Sequence, residues 1–250
     1  MATTVQGDGL TVQHRRAQNQ LSARMQLDWL RLWPIWDEDD PATFRQLVDA
    51  TLTLLVVGYG LSRQLAASYY QAFRFAEEIS GDFAPALAPD LDRGRAAGTL
   101  YKVGLEMHRD ALRSGRAVAD AREQSLLRMS GSVSRQVLEG GRETVVASTR
   151  ADPQARGWAR IAGPNCCAFC AMLAGRGPTY KSAQTASFKA HDACACGIEP
   201  AFAGYQMPAQ SSEYKRLYNQ ALTEARASGD YDRGTSNDSL NAFRRLLNRH

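Results

Sequence analysis

Apolar residues recur at helical spacing through the first two-thirds of the chain. Leu21, Met25, Trp29 and Leu32 form one stripe, Leu100, Val103 and Met107 a second, and Leu126, Met129, Val133 and Val137 a third. Each stripe lies on one face of a 3.6-residue helix and predicts an element buried along that face. Asp40-Pro41 reads as a helix start, because Asp accepts hydrogen bonds from open backbone N–H groups and Pro suits the first helical position. The helix it opens is predicted through FRQLVDATLTLL toward YYQAFRFAEEI, with Gly58 and Gly60 marking a kink, a close helix contact or a break into two helices. SGDFAPALAPD has the Gly and Pro content of a connection. The pairs Trp29/Trp33 and Tyr69/Tyr70 are read as packing residues.

At Asp152-Pro153 the periodicity stops. From there to about Met207 the sequence is dominated by Gly, Pro, Cys and Ala, with room for short extended segments such as GIEPAF. Helical patterning then returns: Tyr214, Leu217, Tyr218, Ala221, Leu222 and Ala225 share a face, as do Leu240, Phe243 and Leu247. Gly229 is the predicted stop of the first of these helices, and Ser236 with Asp238 the start of the second. The expected fold is mainly α, with a helical N-terminal domain (1–151), a small loop-rich Cys/His module resembling a zinc knuckle (152–207) and a C-terminal helical tail (208–250). The tail's aromatic face is expected to need a partner unless one exists within the chain.

An apolar content of 44% against 22% charged residues is that of an ordinary globular protein and excludes wholesale disorder. The net charge of +4 comes from dispersed basic residues interleaved with acidic ones, so no basic stripe argues for nucleic-acid binding. The N-terminal MATTVQGDGLTVQHRR has no apolar core of a signal peptide. LTLLVVGYGL, bracketed by Asp49 and Arg63, is shorter than the roughly 20 apolar residues of a membrane span. The expectation is a soluble protein made in the cytoplasm, without a membrane partner.

All five cysteines fall between Cys166 and Cys196. Their order, Cys166, Cys167-x-x-Cys170, then His191-x-x-Cys194-x-Cys196, supplies two ligand-bearing halves of the kind that close around zinc. The candidate ligands are Cys167, Cys170, His191, Cys194 and Cys196; either the four cysteines bind with His191 nearby, or His191 replaces Cys194. A thioredoxin-like redox pair lacks its strand–helix context here, and buried reduced thiols without a metal are the remaining alternative. His14 and His250 are assigned to frayed ends, and His108, in the charged stretch EMHRD, to the surface.

With these residues in view, the segment from Trp158 to Phe202 resembles the Cys/His region of MuF-like minor head proteins of tailed phages. It is most similar to the actinobacteriophage version, often labelled capsid maturation protease. The resemblance rests on Trp158, Gly163-Pro164, Cys167 to Cys170, Met172 to Tyr180, His191 to Cys196, and Pro200 to Phe202. The extra Cys166 leaves the register of the first ligand pair open. The resemblance implies a protein of phage head morphogenesis, a minor capsid component acting in procapsid assembly near the portal. Its implied partners are portal and capsid or scaffold proteins and packaged DNA. Its implied places are the host cytoplasm during assembly and then the interior of the virion head.

A protease reading finds neither a Gly-x-Ser-x-Gly elbow nor a His-Glu-x-x-His helix. It would have to use His191 with a cysteine, Ser182 or Ser187, and a metal-held imidazole is not an available base. Whether the chain is an enzyme stays open, and proteolysis ranks behind assembly. Some relatives of this type carry ADP-ribosyltransferase domains, but the chain has no Glu-x-Glu pair and little sequence beyond the knuckle.

Overall fold

The computed structural model describes residues 2–163, 166–178, 188, 190–192, 194–228 and 236–248. Among them the protein is mainly α-helical. Three long helices form a bundle: α1 (Val5–Leu30), α2 (Pro41–Ala76) and α5 (Val118–Ala151). Between α2 and α5 lie α3 (Arg93–Tyr101), a π-helical turn (Lys102–Glu106) and α4 (Met107–Arg113). The rest comprises β1 (Gly157–Ile161), α6 (Ala168–Ala174), β2 (Gly197–Ala201), α7 (Ala209–Ala227) and α8 (Ser236–Leu247).

α2 starts as its sequence predicts: the Asp40 carboxylate accepts from the Ala42 N–H at 2.9 Å and Pro41 is the first helical residue. It then runs unbroken through both glycines, which removes the two-helix alternative. Gly58 is a close contact, since a side chain there would meet Val137 and Met25 at about 3 Å, whereas Gly60 faces open space. On α5, a Cβ at Gly140 would lie 2.5 Å from the Tyr59 carbonyl oxygen. Glycine therefore lets α2 and α5 approach backbone to backbone at this level.

The apolar stripes meet as expected. Trp29, Phe44, Leu47, Leu55, Leu100, Met129, Val133 and Val137 form one buried cluster at one end of the bundle. A second cluster joins Tyr69, Tyr70, Phe73 and Val145 to Trp158, Ile198 and Phe202, and so seats the strand pair on the helices. The strands are antiparallel, with Trp158 opposite Pro200 and Arg160 opposite Ile198. The turn after α5 is pinned by Asp152, whose buried carboxylate pairs with Arg74 and accepts from the Tyr70 hydroxyl at 3.1 Å. The 80–92 connection is likewise tied to α5, through Ala88 N–H to Thr144 and Ser148 Oγ to the Ala86 carbonyl.

α1 extends far upstream of its apolar stripe. Thr4 caps it by accepting from the Gly7 N–H at 2.9 Å, and the Glu77 carboxylate accepts from the backbone and hydroxyl groups of Thr3 and Thr4. Two histidine assignments are overturned here. His14 is not at a frayed end: it is buried in α1 with its ring stacked on Tyr69, 4.2 Å between centroids. His108 is not on the surface either, because its helix turns it against the edge of Trp36 with Nε2 3.3 Å from Glu38.

In the C-terminal part, α6, α7 and α8 enclose their own cluster around Leu217, Ala221 and Phe243, and Tyr218 meets Phe243 edge to face. The tail's aromatic stripe thus finds its partner within the chain. Its predicted stop at Gly229 lies outside the described residues, as does His250. No helix among the described residues is long and apolar enough to cross a membrane.

Candidate metal centre

Cys167, Cys170, His191, Cys194 and Cys196 reach one region from two stretches of the chain. Cys167 and Cys170 stand at the start of α6, His191 and Cys194 on the irregular segment before β2, and Cys196 one residue ahead of that strand. A turn supports the second half, with the Cys194 N–H donating to the His191 carbonyl at 3.2 Å.

The ligand atoms of Cys167, Cys170 and His191 lie within 4.8 Å of one another, and so do those of Cys170, Cys194 and Cys196. Cys170 is common to both triads. Its Sγ is 3.6 Å from the Cys194 Sγ and 3.7 Å from the His191 Nε2, and the Cys167 Sγ is 3.1 Å from that same nitrogen. Zinc–sulfur bonds of about 2.3 Å in a tetrahedron put ligand atoms about 3.7 Å apart. The donor set therefore fits a zinc-sized ion. Cys166 is not part of it, because its Sγ is 3.5 Å from the Tyr214 hydroxyl, on α7. Cys167 and Cys170 are the cysteines of the first half whose sulfurs lie with the other candidate ligands.

The electrostatics favour the thiolate at Cys194 and Cys167 and oppose it at Cys170 and Cys196. Hydrogen bonding from Cys170 and Cys196, reinforced by the charge of Arg142, holds the Cys194 thiol far below its ordinary range. The same contacts raise Cys170, since the two share a proton. Burial opposes ionisation of Cys167, but the Cys170 backbone N–H and the neighbouring His191 outweigh it and lower the thiol. The N–H contribution is what a Cys-x-x-Cys turn supplies to a thiolate.

Two residues of the site carry no ligand chemistry and were not anticipated from sequence: Arg142 on α5 and Arg160 on β1, both buried. Their guanidinium carbons lie 4.7 and 3.7 Å from the ring centre of Phe188, which also packs beside Trp158. A signal existed for Arg160, which sits within the apolar run Trp158 to Ala162. Arg142 had none, since an arginine on a long helix reads as a solvated residue. Ser182 and Ser187, the hydroxyls considered for catalysis, lie outside the described residues.

Fold and site together define a mainly helical protein with a Cys/His knuckle. The chain belongs to the VG15 protein family, whose model matches residues 8–221. Over 77 residues it is 35% identical to the Gene 15 protein of Mycobacterium phage D29. That stretch is 29% of this chain and 28% of the relative, so the chain spans well under a third of the length of the curated protein it matches. No solved structure matches the chain.

Proposed function

We propose that the chain is a head-morphogenesis protein, a MuF-like minor capsid component that acts in procapsid assembly near the portal and holds one structural zinc. The observation that carries the reading is the enclosure of the ligand cluster. Cys170, Cys194 and Cys196 are buried together beside Phe169 and Phe188, with Arg142 of α5 and Arg160 of β1 reaching the same cluster. A metal bound there would crosslink the start of α6 to the irregular segment before β2, which is what structural zinc contributes to small loop-rich units. In this reading 1–151 is the helical domain, 152–207 the knuckle and 208–250 the tail. The partners are portal and capsid or scaffold proteins, with packaged DNA nearby. The protein is made in the host cytoplasm and ends inside the virion head.

One observation favours capsid maturation protease as a second reading. Cys167 is exposed, its Sγ is 3.1 Å from the His191 Nε2, and that ring is oriented by its Nδ1–H to the Asp192 carbonyl at 2.7 Å. That is the arrangement of a thiol nucleophile with an oriented base. Zinc would occupy both groups, so the readings exclude each other. The test is metal content together with purification of proheads from cells producing a tagged copy. About one zinc per chain and co-purification with proheads support the assembly reading. A metal-free protein whose Cys167→Ser variant enters proheads but leaves head proteins uncleaved would replace it with the protease.

A further inference from the structure

Burying a guanidinium is costly unless opposite charge or hydrogen bonds compensate it, and this site encloses two. Arg142 is 5% exposed and Arg160 1% exposed. Arg160 points its Nη1 at two sulfurs, 3.6 Å from Cys170 and 3.9 Å from Cys194. Arg142 spans from α5 to the backbone of the same turn, its Nη2 donating to the carbonyl oxygens of Cys194 at 2.5 Å and Cys196 at 3.0 Å. Beside the Arg160 donor a thiolate is a stronger acceptor than a neutral thiol. A zinc ion with three thiolates carries a net charge of −1, and it would place that charge against the Arg160 donor.

The histidine points the same way. A carbonyl oxygen can only accept, so the 2.7 Å contact between His191 Nδ1 and the Asp192 carbonyl puts the ring proton on Nδ1. In the neutral ring Nε2 then carries the lone pair, and it lies 3.1 Å from the Cys167 sulfur and 3.7 Å from that of Cys170. Metal-bound imidazoles are held in this way by their second nitrogen.

We propose that Arg160 is a positioning residue that fixes Cys170 and Cys194 as zinc thiolates, and that the ligands are Cys167, Cys170, His191 and Cys194, with Cys196 a buried non-ligand thiol. The set joins the triad of Cys167, Cys170 and His191 to the second sulfur that Arg160 faces, and a four-coordinate ion then leaves over Cys196, whose sulfur also lies within 4.8 Å of those of Cys170 and Cys194. It rests on the zinc reading above.

The test compares the full chain with Arg160→Gln, Arg160→Lys, Cys194→Ser and Cys196→Ser, each checked for retained helical circular dichroism. Zinc per chain, competition with a chromogenic chelator and the absorption of the Co(II)-substituted protein are measured. Arg160→Gln is expected to keep one metal but bind it 10–100-fold more weakly, the usual effect of losing an outer hydrogen bond. Its sulfur-to-cobalt charge-transfer band should move to lower energy, since an unbonded thiolate gives up an electron more readily. Arg160→Lys should recover part of both effects. Cys196→Ser should keep the metal and the band intensity, and Cys194→Ser should lose one or both.

Arg160→Gln with wild-type affinity and spectrum, or loss of metal in Cys196→Ser, overturns the assignment while leaving the zinc reading intact. Absence of zinc and cobalt binding in the wild-type chain overturns both. Because Cys196→Ser is read independently, an Arg160 variant that fails to fold does not remove the test.

Discussion

Along α1 one continuous stripe faces the rest of the protein: Gly7, Thr11, His14, Gln18, Ser22, Met25 and Trp29. Its chemistry changes midway. Met25 and Trp29 enter the apolar cluster, where Trp29, Trp33, Trp36 and Phe44 follow one another at tilted and edge-on angles. From Thr11 to Ser22 the buried side chains are polar, and Thr11, Gln18 and Ser22 each have a hydrogen-bond partner. Gln18 donates to the Ser62 carbonyl at 2.9 Å and accepts from the Ser62 hydroxyl at 2.7 Å, while that same hydroxyl accepts from the Gly141 N–H. Thr11 donates to Glu199 on β2 at 2.6 Å, and Arg15 donates to the Ala162 carbonyl just past β1 at 2.9 Å. Hydrophobic burial is non-directional and holds helices together; hydrogen bonds also fix register and orientation. The directional half of α1 is the half that meets the strands flanking the knuckle. The bundle is therefore held at one end and aimed at the other.

The largest effect should come from the apolar half. Trp29 is fully buried, and Trp29→Ala should cost about 3–5 kcal/mol through lost contacts and a residual cavity. Urea unfolding followed by circular dichroism measures it. A cost under about 1 kcal/mol would show that the aromatic cluster does not hold the bundle.

Acid should act on the polar half. Burial pulls the His14 imidazole down to about 4 from an ordinary 6.5. The folded value lies below the unfolded one, so the neutral ring's contribution is complete above about pH 6.5 and is lost as pH falls toward 4, a loss of about 3 kcal/mol. His14→Phe keeps a ring against Tyr69 and removes the titration. The stability difference between wild type and this variant should therefore shift in the variant's favour between pH 7 and pH 4, and a pH-independent difference would contradict the burial of this group. Next in size is Gln18→Leu, which removes both hydrogen bonds between Gln18 and Ser62 and should cost about 1–3 kcal/mol.

The two halves were not equally legible. Met25 and Trp29 announce a helix because apolar residues at that spacing have one good use. Thr11, His14, Gln18 and Ser22 have the same spacing, yet each is a residue type normally found in water, so the stripe passes for surface and His14 for part of a frayed end. Only the partners on Ser62, Ser134 and Glu199 reveal it, and those lie far away in sequence. The site divides similarly. Its Cys/His cluster could be read directly, because zinc accepts few donor types and Cys-x-x-Cys with His-x-x-Cys supplies them in pairs; which of them bind a metal could not. Arg142 and Arg160 could not, since what makes them part of the site is tertiary enclosure. The mainly helical fold followed from periodicity, and the π-helical turn did not. There Gly104 fits between Phe44 and Met129, and its carbonyl accepts from Ser125 at 3.0 Å, a fit that arises only once three elements have met.

The smallest effect gives the sharpest test of what the polar half contributes. The Ser22 and Ser134 hydroxyls are buried on facing helices 2.7 Å apart and hydrogen-bond each other. Removing one leaves the other desolvated without its partner, so Ser22→Ala and Ser134→Ala should each cost about 1 kcal/mol or slightly more. Removing both replaces the pair by two methyl groups in nearly the same space, and the double variant should be close to wild type in stability. Its coupling energy in a double-mutant cycle should then be about 1 kcal/mol or more. What the double variant should lose is direction. With that bond gone, amide hydrogen exchange should quicken in the upper part of α1, where it meets β2, before it changes around Trp29. If the two single costs simply add, the pair is not coupled. If exchange rises evenly along α1, the polar half holds the helix no differently from the apolar half, and the contrast drawn between them fails.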